Sequence, residues 1–249
     1  MSTDNNPSSA SLANPSPGSA PPPFRRVNAD QATAWLREGW ELFKRAPGLW
    51  IAILVIYFVI VVVASLIPFV GALAVNLFSY VFIFGMLSGT RDLAAGKPLT
   101  VGHLFAGFGS PRMGSLILLG VLALIGALCI GMPMGLIAAV VIGGGKAGGF
   151  GFATGMLMAI LALALIAVFS AALLFAAPLV GFRSLAPVAA IKLSFAATLA
   201  NWVPLLLWGV LGMLLALVGA LPFGLGLLVV SPMLMASYYC MYRAIFPDD

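Results

Sequence analysis

An all-α polytopic membrane protein is the fold class this sequence predicts, with six transmembrane helices in three hairpins and cytoplasmic interfacial helices. Three observations carry the expectation. Of 249 residues, 62% are hydrophobic and only 8% are charged, whereas an ordinary soluble domain is roughly 25% charged. Mean hydropathy is +1.14. The apolar residues fall into six runs, four of them near the roughly 20 residues that cross a hydrocarbon core and two of them longer. So few charges cannot cover a water-facing surface, which excludes a soluble enzyme.

In chain order, residues 1–23 hold six Pro and six Ser with no aromatic residue. Such a stretch cannot offset its ordering entropy by burial, so residues 1–27 read as a disordered tail. No basic start or apolar core marks a signal peptide, and the first span is expected to act as an uncleaved anchor. Residues 28–46 form the most clearly marked helix. Asn28 is the expected N-cap, with Gln31 completing a box-like start, and Pro47-Gly48 is the expected stop. On a 100° wheel Ala32, Trp35, Leu36, Gly39, Trp40, Leu42, Phe43 and Ala46 share one side. Asp30, Arg37, Glu38, Glu41, Lys44 and Arg45 share the other, and Arg37/Glu41 and Glu41/Arg45 are spaced as i,i+4 pairs. A face rich in Trp, Leu and Phe opposite a charged one predicts a helix lying in the membrane interface, with Trp50 adding to an aromatic belt.

The spans are read at 49–67, 69–87, 115–142, 150–177, 202–219 and 222–242, within a membrane domain of residues 28–246 and a short tail at 247–249. Pro68 separates the first two, Pro133 is expected to break the third, and a Gly-rich turn at 143–149 holds Lys146. With the N-terminus inside, eleven of the twelve basic residues are cytoplasmic and only Lys146 is external, which predicts cytoplasmic termini and an inner-membrane location.

The hairpin units 28–91, 100–183 and 187–243 echo one another. Val101, Leu104, Phe105 and Phe108 give helical spacing before the third span. Val188, Ile191, Phe195 and Leu199 do so before the fifth, in a helix opened by Pro187. Pro68-Phe69, Gly149-Phe150 and Pro222-Phe223 mark the external turns, and Arg91, Arg183 and Arg243 mark the exits. These marks predict three parallel repeats whose small-residue faces pack together.

No span core carries Asp, Glu, Lys, Arg or His, so proton relays and intramembrane acid–base chemistry are not expected. Gly85 to Gly89 (GMLSG) lacks both the spacing and the histidine of a rhomboid-type serine motif. It fits small-residue packing, as does Gly131 to Gly135. Asn76 is the polar side chain nearest mid-span and is expected to bond to a neighbouring helix. His103, Asp92 and Arg91 are the only candidates for headgroup chemistry. They read as scattered, with His103 a solvated loop residue. Cys129 and Cys240 read as packing thiols, and no Cys/His cluster suggests a metal.

The string from Trp35 to Pro47 (WLREGWELFKRAP), followed by a span, resembles a family of uncharacterised bacterial integral membrane proteins. Gly89 to Thr100 (GTRDLAAGKPLT) leading to Leu104 to Phe108 (LFAGF), and Ile191 to Trp202 (IKLSFAATLANW), extend the resemblance. A more distant similarity reaches the membrane domain of bacterial glycerophosphodiester phosphodiesterases. The resemblance covers about residues 28–246 and implies a fold but no catalytic residue, cofactor or metal. The functional expectation is a non-enzymatic scaffold or accessory protein, the alternative being a facilitator for an apolar or amphiphilic solute. Its partners would be membrane lipids, a membrane protein or a second copy of the chain, and not nucleic acid. The residues expected to meet lipid or the interface are Trp35, Trp40, Phe43, Lys44, Arg45, Arg91, Arg183 and Trp202, with Asn76 a polar packing contact.

Overall fold

The computed structural model describes residues 24–143 and 148–247, and side chains other than those of 137–153. The expectations for the tail at 1–23, for Lys146 in its turn and for the last two residues lie outside the described residues. Everything regular within them is helical: α1 (Gln31–Arg45), α2 (Pro47–Ser65), α3 (Val70–Ala94), a 3-10 turn (Val101–Phe105), α4 (Met113–Gly143), α5 (Gly148–Leu173), α6 (Ala176–Gly181), α7 (Pro187–Ala200), α8 (Trp202–Ala220) and α9 (Leu227–Ile245).

Five stretches among the described residues are long and apolar enough to cross a bilayer: Pro47–Ser65, Val70–Ala94, Met113–Leu136, Thr154–Gly181 and Trp202–Ala220. The expected count was six. The last helix, α9, has the length but carries Ser231, Ser237, three tyrosines and Arg243. It packs against α1, α2, α3 and α8. Much of α9 packs on protein, where Ser237 reaches the Leu234 carbonyl, Tyr238 the Leu174 carbonyl and Arg243 the Glu38 carboxylate, partners that lipid cannot supply.

The structure corrects the reading of α1 at both ends and along its face. Asp30, not Asn28, occupies the N-cap position, and its side chain makes no capping bond. Pro47 does not end a helix but opens α2, its missing N–H falling where no intrahelical partner exists anyway. Ala46 alone makes the corner between them. Ala32, Trp35, Gly39, Leu42 and Phe43 are buried, Trp35 to 1% exposure and Phe43 to 4%. They face protein, not acyl chains. A β-carbon at Gly39 would stand 2.6 Å from Ser237 Cβ and 2.7 Å from the Met233 carbonyl oxygen. The glycine is therefore what lets α9 lie directly on α1. Trp50, expected in an aromatic belt, is likewise 1% exposed. Neither expected i,i+4 pair forms: Glu41 meets Lys44 at 2.9 Å, one turn along.

Other corrections follow the same physics. Pro133, expected to break its span, lies inside a continuous α4. The segment after Thr100 is a five-residue 3-10 turn rather than an α-helix. It lies on the glycine face of α3: a β-carbon at Gly85 would stand 2.5 Å from the His103 carbonyl oxygen. The small residues at 85 and 89 thus receive a loop, not a second span. In α7 the packed stripe is Pro187, Ala190, Ser194 and Ala197, while the bulkier Val188 and Leu199 are exposed. Small side chains allow the close approach, and the bulky ones are left for lipid.

Two of the turns between long helices share a geometry. Phe69 and Phe223 each follow a proline, each adopt left-handed backbone angles (φ 61° and 52°), and are 90% and 102% exposed. The segments preceding the hairpins differ, being the 15-residue α1, the 3-10 turn and the 14-residue α7.

Candidate functional site: a cavity beside a broken span

The fourth long apolar stretch is interrupted at Leu174-Phe175, between α5 and α6. Pro178 explains why. It has no N–H to give to the carbonyl four residues back, so the Leu174 oxygen loses its helical donor. Bare carbonyls are costly at membrane depth, and here side chains from other helices answer them. The Tyr238 hydroxyl donates to the Leu174 carbonyl. The Phe175 N–H donates to Ser194 Oγ at 2.9 Å. Ser194 Oγ and Thr198 Oγ1 donate to the Ala171 carbonyl at 3.2 and 3.1 Å. One tyrosine of α9 and two hydroxyls of α7 therefore hold the break open.

Beside the break lies a cavity of about 530 Å³ between α3, α5, α6, α8 and α9. Its lining is mostly apolar, from Ile83, Leu173, Leu174, Ala177, Leu234 and Met235. Hydroxyls of Ser79, Tyr80, Ser170, Ser231 and Tyr238, with Trp208, interrupt it, and the lining contains no acid, Lys, Arg or His. The Trp208 indole N–H is already engaged by Ser237 Oγ at 2.9 Å. Two further apolar cavities, of about 410 and 130 Å³ and both partly formed by α2, also touch Ser231. Such a chamber offers apolar contact and a few hydrogen bonds. It offers no general base, nucleophile pair or metal donor set.

Toward the helix ends that carry arginine, the aromatic side chains gather. The Arg91 guanidinium lies 4.6 Å from the centre of the Phe182 ring and Arg183 lies 5.2 Å from Phe246. Phe182 and Phe246 both pack on Tyr242. Arg243 instead reaches Glu38 of α1 at 3.2 Å. Two of the three exit arginines thus cover aromatic faces within the fold. Phe24 packs on Phe246, and the Arg25 N–H donates to the Ile245 carbonyl at 2.7 Å.

His103 and Asp92, read as scattered, are brought together. The Thr100 N–H donates to His103 Nδ1 at 3.0 Å, which leaves Nε2 to carry the proton and donate to Asp92 Oδ2 at 3.3 Å. Lys97 reaches the other carboxylate oxygen at 3.4 Å. The His103 side chain is 16% exposed, not solvated. It fastens the 3-10 turn to α3, a structural use of the group. Arg91, the third residue of the proposed set, turns away to Phe182.

The remaining sequence candidates are spread over the surface. Trp40 is 40% exposed and stacked on Phe43 at 5.5 Å, with the Lys44 ammonium 5.9 Å from its ring. Trp202 is 60% exposed. Arg45 donates to the Leu93 carbonyl at 3.2 Å. The Asn76 amide oxygen is buried without the expected interhelical bond, although its backbone carbonyl accepts from Ser79. Sequence reasoning missed Tyr238, Ser194 and Thr198, whose signal was Pro178 within an apolar run. It also missed Asn201, 1% exposed, which clasps the segment preceding α1. Asn201 Oδ1 accepts from the Val27 N–H at 2.8 Å, and Nδ2 donates to the Arg25 and Ala197 carbonyls at 3.0 and 2.9 Å.

No family model, curated protein or solved structure matches this chain.

Proposed function

We propose that this is a non-enzymatic multi-pass protein of the bacterial inner membrane, an accessory or scaffold protein that holds lipid. The chamber between α3, α5, α6, α8 and α9 is where an apolar chain lies. The observation that carries the reading is the chamber itself: about 530 Å³ among long apolar helices, apolar, hydroxyl-dotted and without an ionisable acid, Lys, Arg or His in its lining. Orientation in this proposal follows the charges, with both termini and the ends near Arg91 and Arg183 in the cytoplasm, as the eleven-to-one bias of basic residues favours. The resemblance to bacterial integral membrane proteins without an agreed activity belongs to the same reading.

The test is extraction of the full chain in native lipid discs, followed by mass spectrometry of what stays bound after exchange into detergent. One lipid class should be retained by the wild type and lost from Ser79→Phe, which fills the chamber. Equal retention by both would sink the proposal.

A second reading, a facilitator for a lipid-like solute, is favoured by one observation. Three cavities touch Ser231, two of them walled by α2 and the third by α5, α6 and α8. It requires that reconstituted protein speed the passage of a labelled lipid between leaflets, and that Ser231→Phe slow it.

A further inference from the structure

At the opposite end of α9 from its turn with α8, a second, polar cleft of about 260 Å³ lies between α1, the last turn of α3 and α9. Its volume is that of several water molecules, each about 30 Å³ in the liquid. Arg37, Glu38, Glu41 and Arg45 of α1, and Arg243 of α9, line it, with Ala94 closing the α3 side.

The charges in this cleft do not cancel in pairs. Glu38 is taken by Arg243 at 3.2 Å and Glu41 by Lys44 at 2.9 Å. Arg45, deprived of Glu41, gives one N–H to the Leu93 carbonyl. That carbonyl, in the last turn of α3, also accepts from the Gly96 N–H at 3.1 Å, and the remaining guanidinium N–H groups of Arg45 stay available. Arg37 has no carboxylate partner among the described residues. Arg37 and Arg45 stand eight residues apart on α1, and both line the cleft. Two such planar forks match the tetrahedral oxygens of a phosphate group better than they match solvent.

We propose that this cleft binds a phosphate group, held by Arg37 and Arg45 and bounded by the Arg243–Glu38 pair. Two sources share that chemistry: the phosphodiester of an anionic lipid headgroup, and a free phosphate or phosphate ester from the aqueous side. Only the first source rests on the lipid reading above, and it adds a headgroup site separate from the chamber.

The full chain in phosphatidylcholine nanodiscs is tested with two probes. One is spin-labelled phosphatidylglycerol, read as its motionally restricted fraction against labelled phosphatidylcholine. The other is inorganic phosphate, read by calorimetry. Arg37→Gln and Arg45→Gln keep the stems and remove the forks, and Arg112→Gln is the control for lost basic charge. Restriction of phosphatidylglycerol that falls about tenfold in the two α1 variants and not in the control identifies a lipid headgroup. Phosphate binding lost in the same variants, with no lipid preference, identifies the soluble source. Wild-type protein that binds neither probe, or binding unaltered in both α1 variants, overturns the proposal. The two sites fail separately: filling the chamber with Ser79→Phe lowers both labelled lipids alike, whereas the arginine variants lower phosphatidylglycerol alone.

Discussion

Replacing Asn201 by alanine should release the segment that precedes α1 while leaving the bundle intact. The amide of Asn201 ties that segment to the α7–α8 junction through the Val27 N–H and the Arg25 carbonyl. Its third bond, to Ala197, is local. The two long-range bonds are each worth about 1 kcal/mol net, since Val27 is half-buried and Arg25 is exposed, so water can replace the lost partners. Their loss, about 2 kcal/mol, raises the local opening constant about 30-fold. Hydrogen exchange on the purified protein in nanodiscs reads this directly. The Val27 amide should exchange faster by that factor. The Arg25 amide, bonded to Ile245 at 2.7 Å, should follow by a smaller one. Amides in the middle of α3 should not change. Unaltered exchange at Val27 would mean the clasp carries no free energy, and uniform acceleration through α3 would mean Asn201 holds the whole bundle.

Three other perturbations test the packing. Trp35→Ala should cost about 3–5 kcal/mol, the usual loss for a buried aromatic side chain, and lower thermal stability in detergent, whereas Trp202→Ala should leave the melting temperature nearly unchanged; equal effects would contradict the burial of the α1 stripe. Ser194→Ala should cost about 1–3 kcal/mol by leaving the Phe175 N–H unanswered, and Tyr238→Phe should act in the same direction at the Leu174 carbonyl, both measured by thermal melts. Gly85→Val should displace the 3-10 turn, at about 1–3 kcal/mol of overpacking, and expose a cysteine placed at Phe108 to labelling; Gly131→Ala, where no atom lies within 4 Å of the added carbon, should have no such effect.

The apolar spans were legible because composition alone declares them: a run of about 20 residues without charge needs no tertiary information. The amphipathic period of α1 was equally plain. What covers its apolar stripe was not, because the cover is α9, some 200 residues away, and its Ser237 and Cys240 look like ordinary span residues until Gly39 is set against them. Proline was read the wrong way round. Pro133 sits in a helix that continues, whereas Pro178, unremarked, marks the break. The difference lies in partners. The carbonyl freed by Pro178 meets a tyrosine from α9, and no periodicity in the local sequence announces that meeting. His103 was misplaced for a similar reason: eleven residues separate it from Asp92, and only the folded turn closes the distance.

The broken fourth stretch also carries a consequence for the order in which the protein is made. Thr154–Gly181 is a 28-residue apolar stretch, and within it only Pro178 lacks an N–H. The groups that answer the break come later along the chain: Ser194 is 19 residues beyond Phe175, Thr198 is 27 beyond Ala171, and Tyr238 is 64 beyond Leu174. Every group that answers the break is present only once α7 and then α9 have been added to the chain. A chain truncated after α8 would keep the hydroxyls of α7 but lack Tyr238. It would mature only as far as a half-answered break, a membrane-inserted intermediate with the chamber still lacking its α9 wall.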